Sequence, residues 1–361
     1  TDSYLVGTDC RIIVQGSVSS TGAISPDAAL RTISADLRLN TGGVVAVGNN
    51  GTILRWNGSS WSQETSGTTQ DLRSVYCPGS NECWAVGGNR TILHWTGGSS
   101  WTTSFVSNDG SFTGVSCEPN NPSNCYTVGV DIAFKGLSNT ATMHWDGTSW
   151  TDSGGAYPFN YYEAVSCPNA GCFAVANSGD AFTSATGWNS DSLNAGLPQH
   201  GIACFSGIDC WSVGDRPSNN TLRFFRRNGG GWSSSDLNSN ETSDLRSVSC
   251  ANSANCKAVG DFRGGRFTVV SWNGSSWSVE SFNDNNRENL NGVHCAAADN
   301  CWAVGNFRNG RSTGNSLHWD GSTWSYVGTP ALEDLNGVFV IDPGSGGGSV
   351  SLVRWQELIN N

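Results

Sequence analysis

One phrase recurs along the chain at spacings of about 40 residues, and it limits the fold more than any other feature. Its clearest copies are LRSVYCPGSNECWAVG (Leu72 to Gly87), LRSVSCANSANCKAVG (Leu245 to Gly260) and LNGVHCAAADNCWAVG (Leu290 to Gly305). Weaker copies end at Gly129, Ala176 and Gly214. Each clear copy is followed by an apolar alternation such as TILHW or NSLHW, a turn and a second aromatic, as in Trp95 with Trp101, Trp272 with Trp277 and Trp319 with Trp324. Alternation with period two specifies strands with one face buried. Each unit therefore reads as four strands: LxxVxC (a), CWAVG (b), TxLxW (c) and the segment around the second Trp (d), with Asn-Gly or Asp-Gly turning c into d. Four strands per repeat of about 40 residues is the signature of a β-propeller blade. With 46 Gly, 16 Trp and only 14% charged residues, the composition suits short strands and tight turns rather than long helices.

The two ends of the repeat array are complementary. The first unit starts at Val44 with a strand b (VVAVG) and has no strand a, whereas Leu335 to Val340 (LNGVFV) is a strand a with no strand b after it. Val340 stands where other units have their first Cys and Val44 where they have their second, so both cysteines are replaced together. The expectation is an all-β, seven-bladed propeller over residues 42–342, closed by strand exchange between its ends. An open solenoid would need no such complementarity.

Twelve of the 13 cysteines fall into short-range couples: Cys77 with Cys83, Cys117 with Cys125, Cys167 with Cys172, Cys204 with Cys210, Cys250 with Cys256, and Cys295 with Cys301. Each couple joins strand a to strand b across a turn, where facing Cβ atoms lie near disulfide distance. Zinc binding would need a second pair close by, and the couples belong to six different blades, so they read as structural disulfides and no metal is expected. Such cysteine usage implies an oxidising, extracellular setting. Cys10 has no partner within the repeats.

A formal charge of −11 argues against nucleic acid and anionic membranes as general partners. No run approaches the roughly 18 apolar residues of a membrane-spanning helix. The basic residues are 17 Arg and only two Lys, Lys135 and Lys257.

Outside the repeats, CRIIVQGSV (Cys10 to Val18), LRTISADLRL (Leu30 to Leu39) and VSLVRWQEL (Val350 to Leu358) alternate like strands, the last after the flexible PGSGGGS (Pro343 to Ser349). Ring closure would bring these flanks together, so residues 1–41 and 343–361 are expected to form one small β domain into which the propeller is inserted. An Arg-Ile strand ending in Gly, an Arg-Thr-Ile strand and a last strand ending in Trp-Gln-Glu resemble the C-terminal sheet of type IV pilin-like proteins, especially minor pilins, over roughly 55 residues. The resemblance implies a long apolar helix ahead of Thr1, contacts with other pilin-like subunits through the split domain, and display of the ring on a pilus or its tip.

No nucleophile elbow, P-loop or dinucleotide fingerprint stands in a credible context, so no catalytic residue or cofactor is assigned. The WDGTSW (Trp145 to Trp150) and WNGSSW (Trp272 to Trp277) turns resemble the aspartate boxes of sialidase-like propellers, but with Asp or Asn directly before Gly, a spacing that fits turn and packing roles. His94, His144 and His318 each precede the strand c Trp, which marks them as a repeated structural position. The b to c loops of the last two blades depart most from the repeat. GDFRGGRF (Gly260 to Phe267) and GNFRNGRS (Gly305 to Ser312) present Phe262, Arg263, Arg266, Phe307, Arg308 and Arg311, and the same face should carry Arg216, Arg287 and Arg90. Arg favours planar contact with carboxylate, sulfate or phosphate. This face is expected to bind an anionic partner, an acidic glycan or surface protein, unless its arginines pair locally with Asp261, Asp215 and Glu288. The resulting expectation is an extracellular adhesion or recognition module of minor-pilin type. The alternatives are a secreted sialidase-like glycoside hydrolase, which would need two facing carboxylates in the central funnel, and a structural filament subunit.

Overall fold

The computed structural model describes residues 4–6, 9–15, 31–38, 43–119, 121–131, 139–155, 160–169, 171–218, 220–238, 243–261, 269–280, 289–306, 316–330, 332–341 and 351–359. Residues 4–6, 9–15, 31–38, 139 and 351–359 are described by their backbone. Among these residues seven four-stranded antiparallel sheets form the blades of a propeller, and the helical content is two single turns of 3-10 helix. Blade 1 has the strand order Leu335–Val340, Val44–Gly48, Ile53–Trp56, Trp61–Glu64. In its first pair Val340 lies opposite Val44 and Leu335 opposite Gly48. Blades 2 to 7 begin with the inner strands Leu72–Gly79, Gly110–Cys117, Tyr162–Ser166, Gln199–Ser206, Leu245–Asn252 and Leu290–Ala297. The inner strand of blade 1 packs against those of blades 7 and 2, and the other inner strands continue the circuit. A separate sheet has the order Tyr4–Val6, Asp9–Gln15, Arg31–Arg38, Ser351–Ile359, so the two flanks pair with one another, Arg31 opposite Ile359. Tyr4–Val6 is one strand more than the alternation predicts, because three residues are too few to show a period.

All six couples are disulfides, with Cα atoms 3.9 to 4.0 Å apart. The residue before the first cysteine also has a recurrent task. Ser116, Ser166 and Ser249 hydroxyls accept hydrogen bonds from the N–H groups of Cys167, Cys204 and Cys295 in the following blade, at 3.0 to 3.1 Å. His294 does the same through Nδ1 for Val340, at 3.1 Å. Inner-strand N–H groups with no ladder partner are thus satisfied across the seams.

The glycine that ends strand b is dictated by close approach. A Cβ on Gly48, Gly87, Gly129, Gly214, Gly260 or Gly305 would stand 2.0 to 2.1 Å from a carbonyl oxygen beside the start of the inner strand. The next residue donates its N–H to that same carbonyl, for example Asp215 to Pro198 O at 2.9 Å and Asp261 to Asp244 O at 2.9 Å. Blade 4 has Ala176 at this place, and its corresponding bond, Asn177 N–H to Tyr161 O, is longer at 3.2 Å. Gly260→Ala is therefore expected to cost about 1–3 kcal/mol by overpacking, read in urea melts against the exposed Ser278→Ala as control.

Six of the seven seams between blades are of two kinds, chosen by the residue after the strand b cysteine or after Val44 in its place. In the seventh that residue is Tyr126, which meets Trp188 edge to face. Where that residue is Trp, three tryptophans interlock: Trp84 with Trp145 and Trp150, Trp211 with Trp272 and Trp277, Trp302 with Trp56 and Trp61. In each triad the strand b Trp meets the strand d Trp edge to face, at 5.1 to 5.4 Å and 87 to 89°. The indole N–H groups of Trp61, Trp150 and Trp277 have no oxygen acceptor, and this geometry offers them a π face instead.

Where the residue is Val45, Phe173 or Lys257, a cation and a carboxylate take over. Arg55 lies 3.8 Å over Trp95 while Glu64 accepts from Trp101 Nε1 at 2.7 Å. Arg227 lies over Phe173 while Asp191 accepts from Trp232 Nε1 at 2.8 Å. Lys257 lies 3.6 Å over Trp319 while Glu280 accepts from Trp324 Nε1 at 2.5 Å. Each carboxylate also pairs with its cation. The carboxylate always comes three residues after the first aromatic of strand d, where the Trp triads have Ser104, Ser235 or Val327.

Candidate recognition site at the channel mouth

Every inner strand carries a β-bulge near its start, after the first residue in six blades and after Phe112, the third, in blade 3. A bulge frees a side chain from the ladder alternation and re-aims it. The seven bulged residues, Asn336, Arg73, Thr113, Glu163, His200, Arg246 and Asn291 in blade order, all line a central cavity of about 380 Å³. Composition alone gives no hint of this ring, but the sequence contains its signal. The Gly-Asp or Gly-Asn step after strand b puts a polar side chain beside the bulged residue of its own blade.

Four blades use this step to tie the bulged side chain down. Asp215 Oδ1 meets His200 Nε2 at 2.9 Å, and Asp261 pairs with Arg246. Asn306 accepts from Asn291 Nδ2 at 2.7 Å, and Asn49 from Asn336 Nδ2 at 2.9 Å. Further bonds run between blades: Arg246 to Asn291 Oδ1 at 2.9 Å, Asn291 to Leu335 O at 3.0 Å, Asn336 to Leu72 O at 2.9 Å.

Blades 2 to 4 break the pattern. Gly88 and Val130 replace the polar residue, and Asn177 Oδ1 is taken by the Tyr161 N–H at 2.9 Å. Thr113 turns its hydroxyl to Tyr162 O at 2.8 Å. Arg73 is exposed and makes no hydrogen bond or ion pair with any described residue. Glu163 reaches His200 Nδ1 at only 3.9 Å. Burial holds the Glu163 carboxyl above its ordinary range, the charges of His200 and Arg73 act against that, and Asp215 reinforces it. The mouth therefore has a self-neutralised arc and an arc with one free guanidinium and one weakly engaged carboxyl. Among the described residues lining the cavity, Glu163 is the only carboxylate, and Asp215 is the nearby carboxylate that acts on it.

Farther along the channel wall, Phe339 lies between Tyr76 and His294, with ring centroids at 4.7 and 4.1 Å. Burial pushes the Tyr76 phenol up to about 12 and the His294 imidazole down to about 4, which keeps His294 a neutral acceptor for the Val340 N–H.

Of the loop residues expected to bind an anion, Phe262, Arg263, Arg266, Arg287, Phe307, Arg308 and Arg311 lie outside the described residues. Arg216 is described: its side chain is 13% exposed and stands 3.5 Å from Asp244. Arg90 is equally sheltered, 3.5 Å from Asp131 and over Phe105 and Phe112. Asp261 pairs with Arg246 and Asp215 with His200, and Glu288 lies outside the described residues. His94 and His144 stack on the strand b aromatics Trp84 and Tyr126 and His318 meets Trp302 at a tilt, with Nε2 bonded to Glu82, Asn124 and Asn300.

No family of known proteins matches the chain by sequence, and no curated protein does. Solved structures match by fold. YCF48 bound to D1 peptide aligns with a TM-score of 0.54 at 15% identity, over 78% of this chain and 86% of that one. The WD40 propeller domain of Doa1 aligns with a TM-score of 0.56 at 11% identity, over 75% and 89%. A chain of the nidogen/laminin complex aligns with a TM-score of 0.50 at 9% identity, over 83% and 98%. At these identities the likeness establishes the propeller fold.

Proposed function

We propose that this protein is an extracellular recognition module whose channel mouth and surrounding loops bind an anionic partner, an acidic glycan or an acidic protein surface. The observation that carries this reading is Arg73, the bulged guanidinium that its own blade leaves unpaired because Gly88 stands where other blades place Asp or Asn. The sequence stretches after Asp261 and Asn306, two residues of the same mouth, contribute Arg263, Arg266, Arg308 and Arg311 with Phe262 and Phe307, and Arg287 precedes Asn289. Six disulfides fit an oxidising exterior, and no helix among the described residues is long and apolar enough to cross a membrane. Two of the propellers of similar fold come from binding complexes, one with a peptide and one between nidogen and laminin.

In this reading the ring is closed by its own two ends, through the pairing of Leu335–Val340 with Val44–Gly48, so that both flanks leave it side by side. The flanking sheet then serves as a minor-pilin-like carrier that contacts other pilin-like subunits and displays the ring on a type IV pilus or its tip. The test is retention on carboxylated and sulfated glycans and on acidic proteins across a salt series. Wild-type retention should fall as salt rises. Arg73→Ser should weaken it about tenfold to a hundredfold, in line with the loss of one charge-assisted contact of about 1.5–3 kcal/mol. Replacing Arg263, Arg266, Arg308 and Arg311 by Ser should weaken it further. Retention that ignores salt and all five substitutions would exclude this site.

A further inference from the structure

The seam between blades 5 and 6 is set apart from the other two Trp triads by the long outer hairpin of blade 5. It is a Trp triad with Ser235 at the position that Glu64, Asp191 and Glu280 fill elsewhere, so no carboxylate side chain closes it. The outer strands of blade 5, Thr221–Asn228 and Gly231–Asn238, have eight residues each, whereas those of blade 6, Val269–Trp272 and Trp277–Val279, have four and three. The overhanging hairpin and the blade 6 turn enclose a cavity of about 460 Å³, floored by Trp211, Phe224 and Trp277 and walled by the half-buried Trp272.

The lining carries two formal charges, and the protein neutralises both. Arg226 is held by Asp209 at 2.7 and 2.9 Å, and Asp236 by Arg223 at 2.7 and 2.8 Å. What remains for an occupant is an aromatic surface bordered by hydroxyls. Ser234, Ser235 and Ser276 are exposed, line the cavity and bond through their hydroxyls to no described residue. An ion entering this space would find no uncompensated countercharge, and a purely apolar ligand would strand the hydroxyls. A sugar ring matches both features, with C–H faces for the indole and hydroxyls for the serines.

We propose that this seam is a binding site for a neutral saccharide, separate from the anionic partner of the channel mouth. Trp272 supplies the stacking platform, and the serines of the blade 5 outer strand and the blade 6 turn supply the hydrogen bonds. The site exists because the eight-residue outer strands of blade 5 overhang a Trp triad that has Ser235 in place of a carboxylate.

The test is saturation-transfer NMR and calorimetric titration with methyl glycosides of glucose, galactose, mannose and N-acetylglucosamine, and with cellobiose, maltose, lactose and chitobiose. At least one of these is expected to bind saturably, with an affinity that salt does not change. Trp272→Ala should weaken it about tenfold or more. Ser235→Glu should abolish binding while leaving the melting temperature no lower than wild type, because it restores the carboxylate that other seams use to accept from the strand d indole. Ser276→Arg, on the exposed turn, blocks the same space without touching the triad. If no probe binds, or if binding survives both Ser235→Glu and Ser276→Arg, the proposal is wrong. Salt-sensitive binding lost in Arg73→Ser would place the ligand at the channel mouth and overturn the seam site while leaving the recognition reading intact.

Discussion

Reduction of the six disulfides is expected to unfold the ring at temperatures where the oxidised protein is stable. The links span 5 to 8 residues in sequence. On the chain-entropy estimate a loop this short is worth about 2 kcal/mol, so six together approach roughly 12 kcal/mol, comparable with the whole stability of a typical domain. Blade 1 has Val44 opposite Val340 and no such link, so it depends on strand pairing and packing alone. The measurement is a pair of thermal melts, with and without a phosphine reductant, after thiol counting of the denatured, unreduced chain. One reactive thiol per chain, Cys10 if it is free, is the highest count the pairing allows. Two or more would overturn the pairing, and a reduced protein that melts within a few degrees of the oxidised one would show that the links constrain little.

The fold was legible because the same local conflict is solved by glycine in six of the seven blades. A single CWAVG says little, but its recurrence with a glycine at one place marks a position where backbone approaches backbone, and the 2.0 Å clearance at Gly87, Gly214, Gly260 and Gly305 is the physical content of that repetition. The disulfides were legible for the same reason, since each couple flanks a short turn between strands a and b. The candidate site was less legible because it resides in the exceptions. Arg73 sits in a phrase, LRSV, that blade 6 repeats as Leu245 to Val248, and the arginines differ only in what the following strand offers: Gly88 in one blade, Asp261 in the other. Reading that difference requires knowing that a bulge places the second residue of the inner strand beside the second residue of the Gly-Asp step. Arg216 shows the converse. Its loop position suggested a free cation, and Asp244, 28 residues on and in the neighbouring blade's approach, shelters it.

Trp211→Ala is expected to be the most damaging single substitution in the seams, at about 3–5 kcal/mol. The side chain is 2% exposed and touches Trp272 and Trp277 at 4.8 and 5.1 Å between ring centroids, while Phe224 stacks on Trp277 from the same blade at 4.2 Å. Truncation removes a buried member of a four-ring cluster in which Trp277 meets the other three rings. The two seam types make the prediction sharper. If Lys257 with Glu280 is a physical substitute for a strand b Trp with Ser, then Trp211→Lys alone should be nearly as damaging as the alanine variant, because it leaves a buried ammonium without a partner. Combined with Ser235→Glu it should recover most of the loss, with a coupling of about 1–3 kcal/mol in the double-mutant cycle. The recovered pair would repeat the arrangement at Trp319 and Trp324, with the ammonium over the strand c indole and the carboxylate accepting from the strand d indole. Equilibrium denaturation of the four proteins under oxidising conditions measures this coupling, and simple additivity of the two changes would mean that the seams are interchangeable in sequence only and not in energy.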